Sequence, residues 1–81
     1  MPNRQISNFN RLMKTMADEL QLDMSKDFPA IHMKQFEKPV LLVFGGGKRM
    51  TENVIKQLMM LGYVELTESP MVFKIVKWEL Y

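Results

Sequence analysis

The sequence has no cysteine, a single histidine and a single tryptophan among its eighty-one residues. The missing thiols exclude a disulfide framework, a thiolate metal site and a cysteine nucleophile, and they suit a reducing compartment, the cytoplasm. The lone His32 has no acidic neighbour closer than Asp27 or Glu37, so a metal centre or a catalytic base lacks companions. No serine, histidine and acid set has recognisable context, so an enzyme is not expected, and nothing calls for a cofactor. Long apolar runs are also missing. The longest, Val40 to Phe44, is far too short to span a bilayer, and the opening MPNRQISNF has no apolar core of signal-peptide length. Charge of one sign barely accumulates: the formal net charge is +2, which permits nucleic-acid binding without demanding it.

What is present suits one small domain spanning 1–81. A 47% hydrophobic and 25% charged composition is that of a folded globular chain. From Ile6 to Leu22, apolar residues fall at Ile6, Phe9, Leu12, Met13, Met16 and Leu20, the spacing of an amphipathic helix. Ser7 is the expected N-cap, and Asn10, Arg11, Lys14, Asp18 and Gln21 make the polar face. Asp27, Phe28 and Pro29 resemble a helix start, which favours one short helix over 28–33 with Phe28 and Ile31 inward; an extended segment fits almost as well. A second strong helix runs over 51–61, with Val54, Ile55, Leu58 and Leu61 as its core stripe. Thr51 is placed to cap it, Glu52 to face the positive end of its dipole, and Gly62 to stop it in a left-handed turn. Strand-like segments over 63–67 and 71–80, joined by Glu68-Ser69-Pro70, predict a hairpin.

The stretch FGGGKRMTENV, Phe44 to Val54, raises the question of a phosphate loop. The pattern G-x-x-x-x-G-K-[ST] would need glycine where Leu42 stands and Ser or Thr where Arg49 stands. The dinucleotide pattern begins at Gly45 and Gly47 but meets Met50 where its third glycine belongs. A nucleotide-binding enzyme is therefore disfavoured. A general anion site stays open, because free N–H groups beside Lys48 and Arg49 attract phosphate.

Read whole, KRMTENVIKQLMMLGYVELTESPMVFKIVKWEL resembles the second half of a winged helix-turn-helix DNA-binding domain. The residues that carry the likeness are the step Leu58-Met59-Met60-Leu61-Gly62-Tyr63-Val64 and the hairpin after it. The resemblance covers Lys48 to Tyr81. It implies an α+β, winged-helix-like fold: an N-terminal amphipathic helix, a short apolar segment, a recognition-type helix over 51–61 and a β-hairpin wing over 63–78. Residues 40–44, continuously apolar and partly β-branched, read either as the helix before the turn or as a buried strand. The resemblance also implies a small regulatory protein that binds double-stranded DNA. Arg49, Asn53, Lys56 and Gln57 would then meet bases, because Asn and Gln pair with adenine and Arg or Lys with guanine. Lys48, Thr51 and Lys74 would meet phosphate. Glu65, Glu68 and Glu79 on the hairpin oppose that charge.

A different class of function competes. Nine methionines is a high count for this length, and methionine serves adaptable protein-binding surfaces as well as irregular cores. Met59 and Met60 cannot both join Leu58 and Leu61 on the core stripe, and Trp78 and Tyr81 add aromatic surface near the C-terminus. These four would form the interface of a homodimer, or of an inhibitor docked on a host protein without DNA; the opposing reading has them closing the core.

Overall fold

The computed structural model describes residues 4–80, so Tyr81 lies outside the described residues. The chain runs α1 (Arg4–Leu20), β1 (Ala30–His32), α2 (Met33–Val43), α3 (Lys48–Leu61), β2 (Val64–Leu66) and β3 (Val72–Ile75). The described residues form an α+β domain of three helices and one three-stranded antiparallel sheet in the order β1-β3-β2. The order of elements is compatible with the winged-helix arrangement. No helix among the described residues is long and apolar enough to cross a membrane.

Helix α1 buries the expected stripe of Phe9, Leu12, Met13 and Met16, with Ala17 added. It begins at Arg4, so Ser7 lies inside the helix rather than capping it. It ends where Gln21 takes a left-handed φ of 55°. The Gln21 and Leu22 N–H groups then donate back to Asp18 O and Ala17 O, which satisfies two carbonyls of the last turn.

Residues 28–33 do not form the expected short helix. Residues 30–32 are strand β1, paired in register with β3 at Ala30–Lys74, Ile31–Phe73 and His32–Val72. Pro29 biases Phe28 toward an extended backbone, and a partner strand four decades along the chain completes the pairing. Ile31 points inward as expected, but Phe28 is 47% exposed.

The apolar segment 40–44 is the end of a helix. His32, the last residue of β1, starts α2: its Nδ1 accepts from Lys34 N at 3.1 Å, and Gln35 Oε1 accepts from His32 N at 3.0 Å. This reciprocal cap satisfies two donors that a helix start otherwise leaves free. Phe36, Pro39 and Val40 turn inward, whereas Leu41 and Leu42 are each 57% exposed. Gly45 and Gly46 then reverse the chain at positive φ. A Cβ on Gly46 would stand 2.8 Å from Met50 Cβ, so this turn requires a residue without a side chain.

Helix α3 starts at Lys48, one turn before the expected boundary, with Gly47 as its N-cap. Glu52 therefore lies in the second turn, not beside the helix end. Val54, Ile55 and Leu58 are buried as expected, and Gly62 ends the helix at φ 93°. The hairpin is present but shorter than expected, as β2 pairs with β3 from Val64–Ile75 to Leu66–Phe73.

The core joins all these elements. Phe9 packs against Phe44 at 5.3 Å and Tyr63 at 6.2 Å between ring centroids, and Phe36 meets Phe73 edge-on at 6.2 Å. Residues 76–80 form no strand and strap the sheet back onto α1. Trp78 is buried and its Nε1 donates to Asp27 O at 2.7 Å. Asn10 then grips Leu80 at both ends of the peptide: Nδ2 donates to Leu80 O at 2.8 Å, and Oδ1 accepts from Leu80 N at 2.9 Å. The same Oδ1 accepts from Tyr63 Oη at 2.6 Å. Burial pushes the Tyr63 phenol pKa up, and the Glu79 carboxylate adds to the shift.

Candidate nucleic-acid interface

Helix α3 is anchored by one side and open on the other. Thr51, Val54, Ile55 and Leu58 are buried, and these positions leave Arg49, Asn53, Lys56 and Met60 on the opposite side at helical spacing. Glu52 and Gln57 flank that stripe, and Lys48 precedes it at the helix start. All seven of these side chains are exposed.

Charge placement separates this face from the hairpin. Lys48, Arg49 and Lys56 stand against one carboxylate, Glu52. None of the three cations is engaged in an ion pair among the described residues, where the ion pair is Lys38–Glu19 at 3.3 Å. The hairpin carries Glu65 and Glu68 against Lys74, so its field does not reinforce that of α3.

The expected contact residues thus divide into two groups. Lys48, Arg49, Asn53, Lys56 and Gln57 share one exposed helix surface. Thr51 leaves the set: it is only 2% exposed, and its hydroxyl donates to Gly47 O at 3.4 Å. On the helical period Thr51 falls on the buried side with Val54, Ile55 and Leu58, and it lines the cleft at the α2–α3 turn beside Gly47 and Lys48 rather than the outward stripe. Lys74 is exposed, but strand alternation puts it on the face opposite buried Phe73, next to Ala30 and Glu65 in the pairing register. It does not join the α3 stripe.

The interface residues of the competing reading also divide. Trp78 is buried, which corrects its assignment to a docking surface: the indole closes the core beneath the C-terminal strap. Met59 is half-buried against the core and Met60 is 84% exposed. Between α3 and the hairpin runs an open groove of about 330 Å³, lined by Met33, Ile55, Met59, Leu66 and Phe73 together with Glu52 and Lys56. Leu66 is 67% exposed beside it. Sequence reasoning did not single out Leu66; strand alternation alone would place it inward with Val64, yet at the end of β2, opposite Phe73, it stays uncovered.

A second cleft, of about 270 Å³, lies at the α2–α3 turn, where Lys38 and Lys48 are joined by the carboxylate of Glu37 and by Thr51. Among the described residues, no group of three or more His, Asp or Glu side chains comes together as metal ligands. Comparison of the chain with protein-family models, curated proteins and solved structures returns no match.

Proposed function

We propose that this chain is a small regulatory protein that binds double-stranded DNA, with α3 presented to the major groove. The observation that carries the reading is the outward stripe of Arg49, Asn53 and Lys56, joined by Lys48 and Gln57, on a helix whose other side is locked into the core. Cations without an internal ion pair break none when they turn toward phosphate, and an amide at helical spacing from an arginine offers the bidentate chemistry that base edges accept. The rigid attachment matters as much as the chemistry, because contacts held in one geometry lose less entropy on binding. The hairpin in this proposal supports α3 and contributes little charge. The reading is of binding without catalysis.

Replacing Arg49 and Lys56 by alanine tests it. Both are exposed, so the fold should persist while affinity for a duplex at low salt falls. Unchanged affinity, or no duplex binding by the parent chain, would contradict the proposal.

One observation favours a second reading. The groove beside α3 is lined by methionine and capped by the exposed Leu66, a surface suited to an apolar side chain of a partner protein. Such a complex would change little with added salt, and Leu66→Asp would disrupt it while leaving duplex binding intact.

A further inference from the structure

Met60 is the most exposed apolar side chain of α3, ahead of Met50 at 36%. It is 84% exposed, and it follows Lys56 and Gln57 by one turn and Asn53 by two. Met59 takes the half-buried place beside the core, so core packing does not account for Met60. Nor does Met60 belong to the α3–hairpin groove, which is lined by Met59 instead.

On a duplex the apolar feature of the major groove is the C5-methyl group of thymine. An unbranched thioether is well suited to cover it, because methionine adapts its rotamers to the shape of its partner. Asn53 and Met60 are separated by about 10 Å along the helix axis, which is about three base steps. We infer that Met60 covers a thymine methyl, and that Asn53 or Gln57 pairs with an adenine within the same few steps. This inference rests on the DNA reading of α3. It adds to that reading a specificity: A·T pairs beneath the C-terminal half of the helix.

The test uses the full chain and a duplex it enriches from a random-sequence pool. Thymidine is replaced by deoxyuridine one position at a time, which removes a methyl group and leaves pairing unchanged. Wild-type affinity should fall about three- to fivefold at one or two positions, the size expected for one methyl group returned to water. Met60→Ala should bind the thymidine duplex with a similar loss and show no response to deoxyuridine at those positions. Met60→Leu should restore part of the response. Equal sensitivity in wild type and Met60→Ala, or no sensitivity in wild type, overturns the assignment of Met60 and leaves the DNA reading standing. Failure to enrich any duplex at low salt overturns the DNA reading and this inference with it.

Discussion

The replacement Asn10→Ala removes the clasp that holds the C-terminal strap to α1. Three hydrogen bonds meet at this one side chain: Nδ2 to Leu80 O at 2.8 Å, Leu80 N to Oδ1 at 2.9 Å, and Tyr63 Oη to Oδ1 at 2.6 Å. A typical intramolecular hydrogen bond contributes about 0.5–1.5 kcal/mol net, and a group left unpaired on partial burial loses at least that much. All three bonds are partly buried rather than deeply buried, so water partly compensates and the low end of the sum applies, about 2 kcal/mol. For a domain of this size each kcal/mol lowers Tm by about 4–8 °C, so Asn10→Ala should melt about 8–16 °C lower. Thermal unfolding followed by circular dichroism measures the loss, with Arg11→Ala, an exposed neighbour, as a control expected within about 0.5 kcal/mol of the parent. Tyr63→Phe should cost roughly 1 kcal/mol alone and somewhat less on top of Asn10→Ala, because the two share a bond while Ile6 O at 3.3 Å stays within reach of the Tyr63 hydroxyl. A loss below about 0.5 kcal/mol for Asn10→Ala would show that the clasp does not hold the strap.

Three further perturbations address other parts of the account. Gly46→Ala should destabilise by at least about 1–2 kcal/mol, since φ is +80° and the new Cβ overlaps Met50 Cβ; Met50→Ala should not rescue it, because that Cβ persists. Gln21→Gly should raise stability by about 0.5–1 kcal/mol in chemical denaturation by relieving the left-handed backbone at the end of α1. Tyr63 has a folded-state pKa raised above its unfolded value near 10.0, so its contribution is fully present below that pH and is lost as pH rises through the folded value. Denaturant midpoints taken above neutral pH should therefore fall in the alkaline range for the parent and fall less for Tyr63→Phe.

The parts of this fold that were legible in the sequence are those set by local spacing. The stripes Phe9-Leu12-Met13-Met16 and Val54-Ile55-Leu58 alternate with polar residues at helical period, and Gly62 marks a helix end by its conformational freedom. Helix α2 was ambiguous because Leu41 and Leu42 are apolar yet exposed, which erases the amphipathic pattern, while Pro39 suggests a break that tertiary packing overrides. Strand β1 has only three residues and exists because β3 pairs with it from a distant part of the chain. The role of Asn10 was hidden for the same reason: on the helix it is one polar residue among several, and its partners are Tyr63 and Leu80. In the candidate interface, five residues from 48 to 57 were found together because one helix carries them. Thr51 and Lys74 depended on a helix boundary and a strand face that local pattern did not fix.

The measurement that bears most directly on the DNA reading is the salt dependence of duplex affinity. Lys48, Arg49 and Lys56 are three cations free to displace counterions, each contributing about 0.9 to the slope of log affinity against log salt. The parent chain should therefore show a slope between about −2 and −3, and Arg49→Ala should reduce its magnitude by about 1. A slope near zero, or one unchanged by Arg49→Ala, would contradict the placement of α3 against a nucleic-acid backbone.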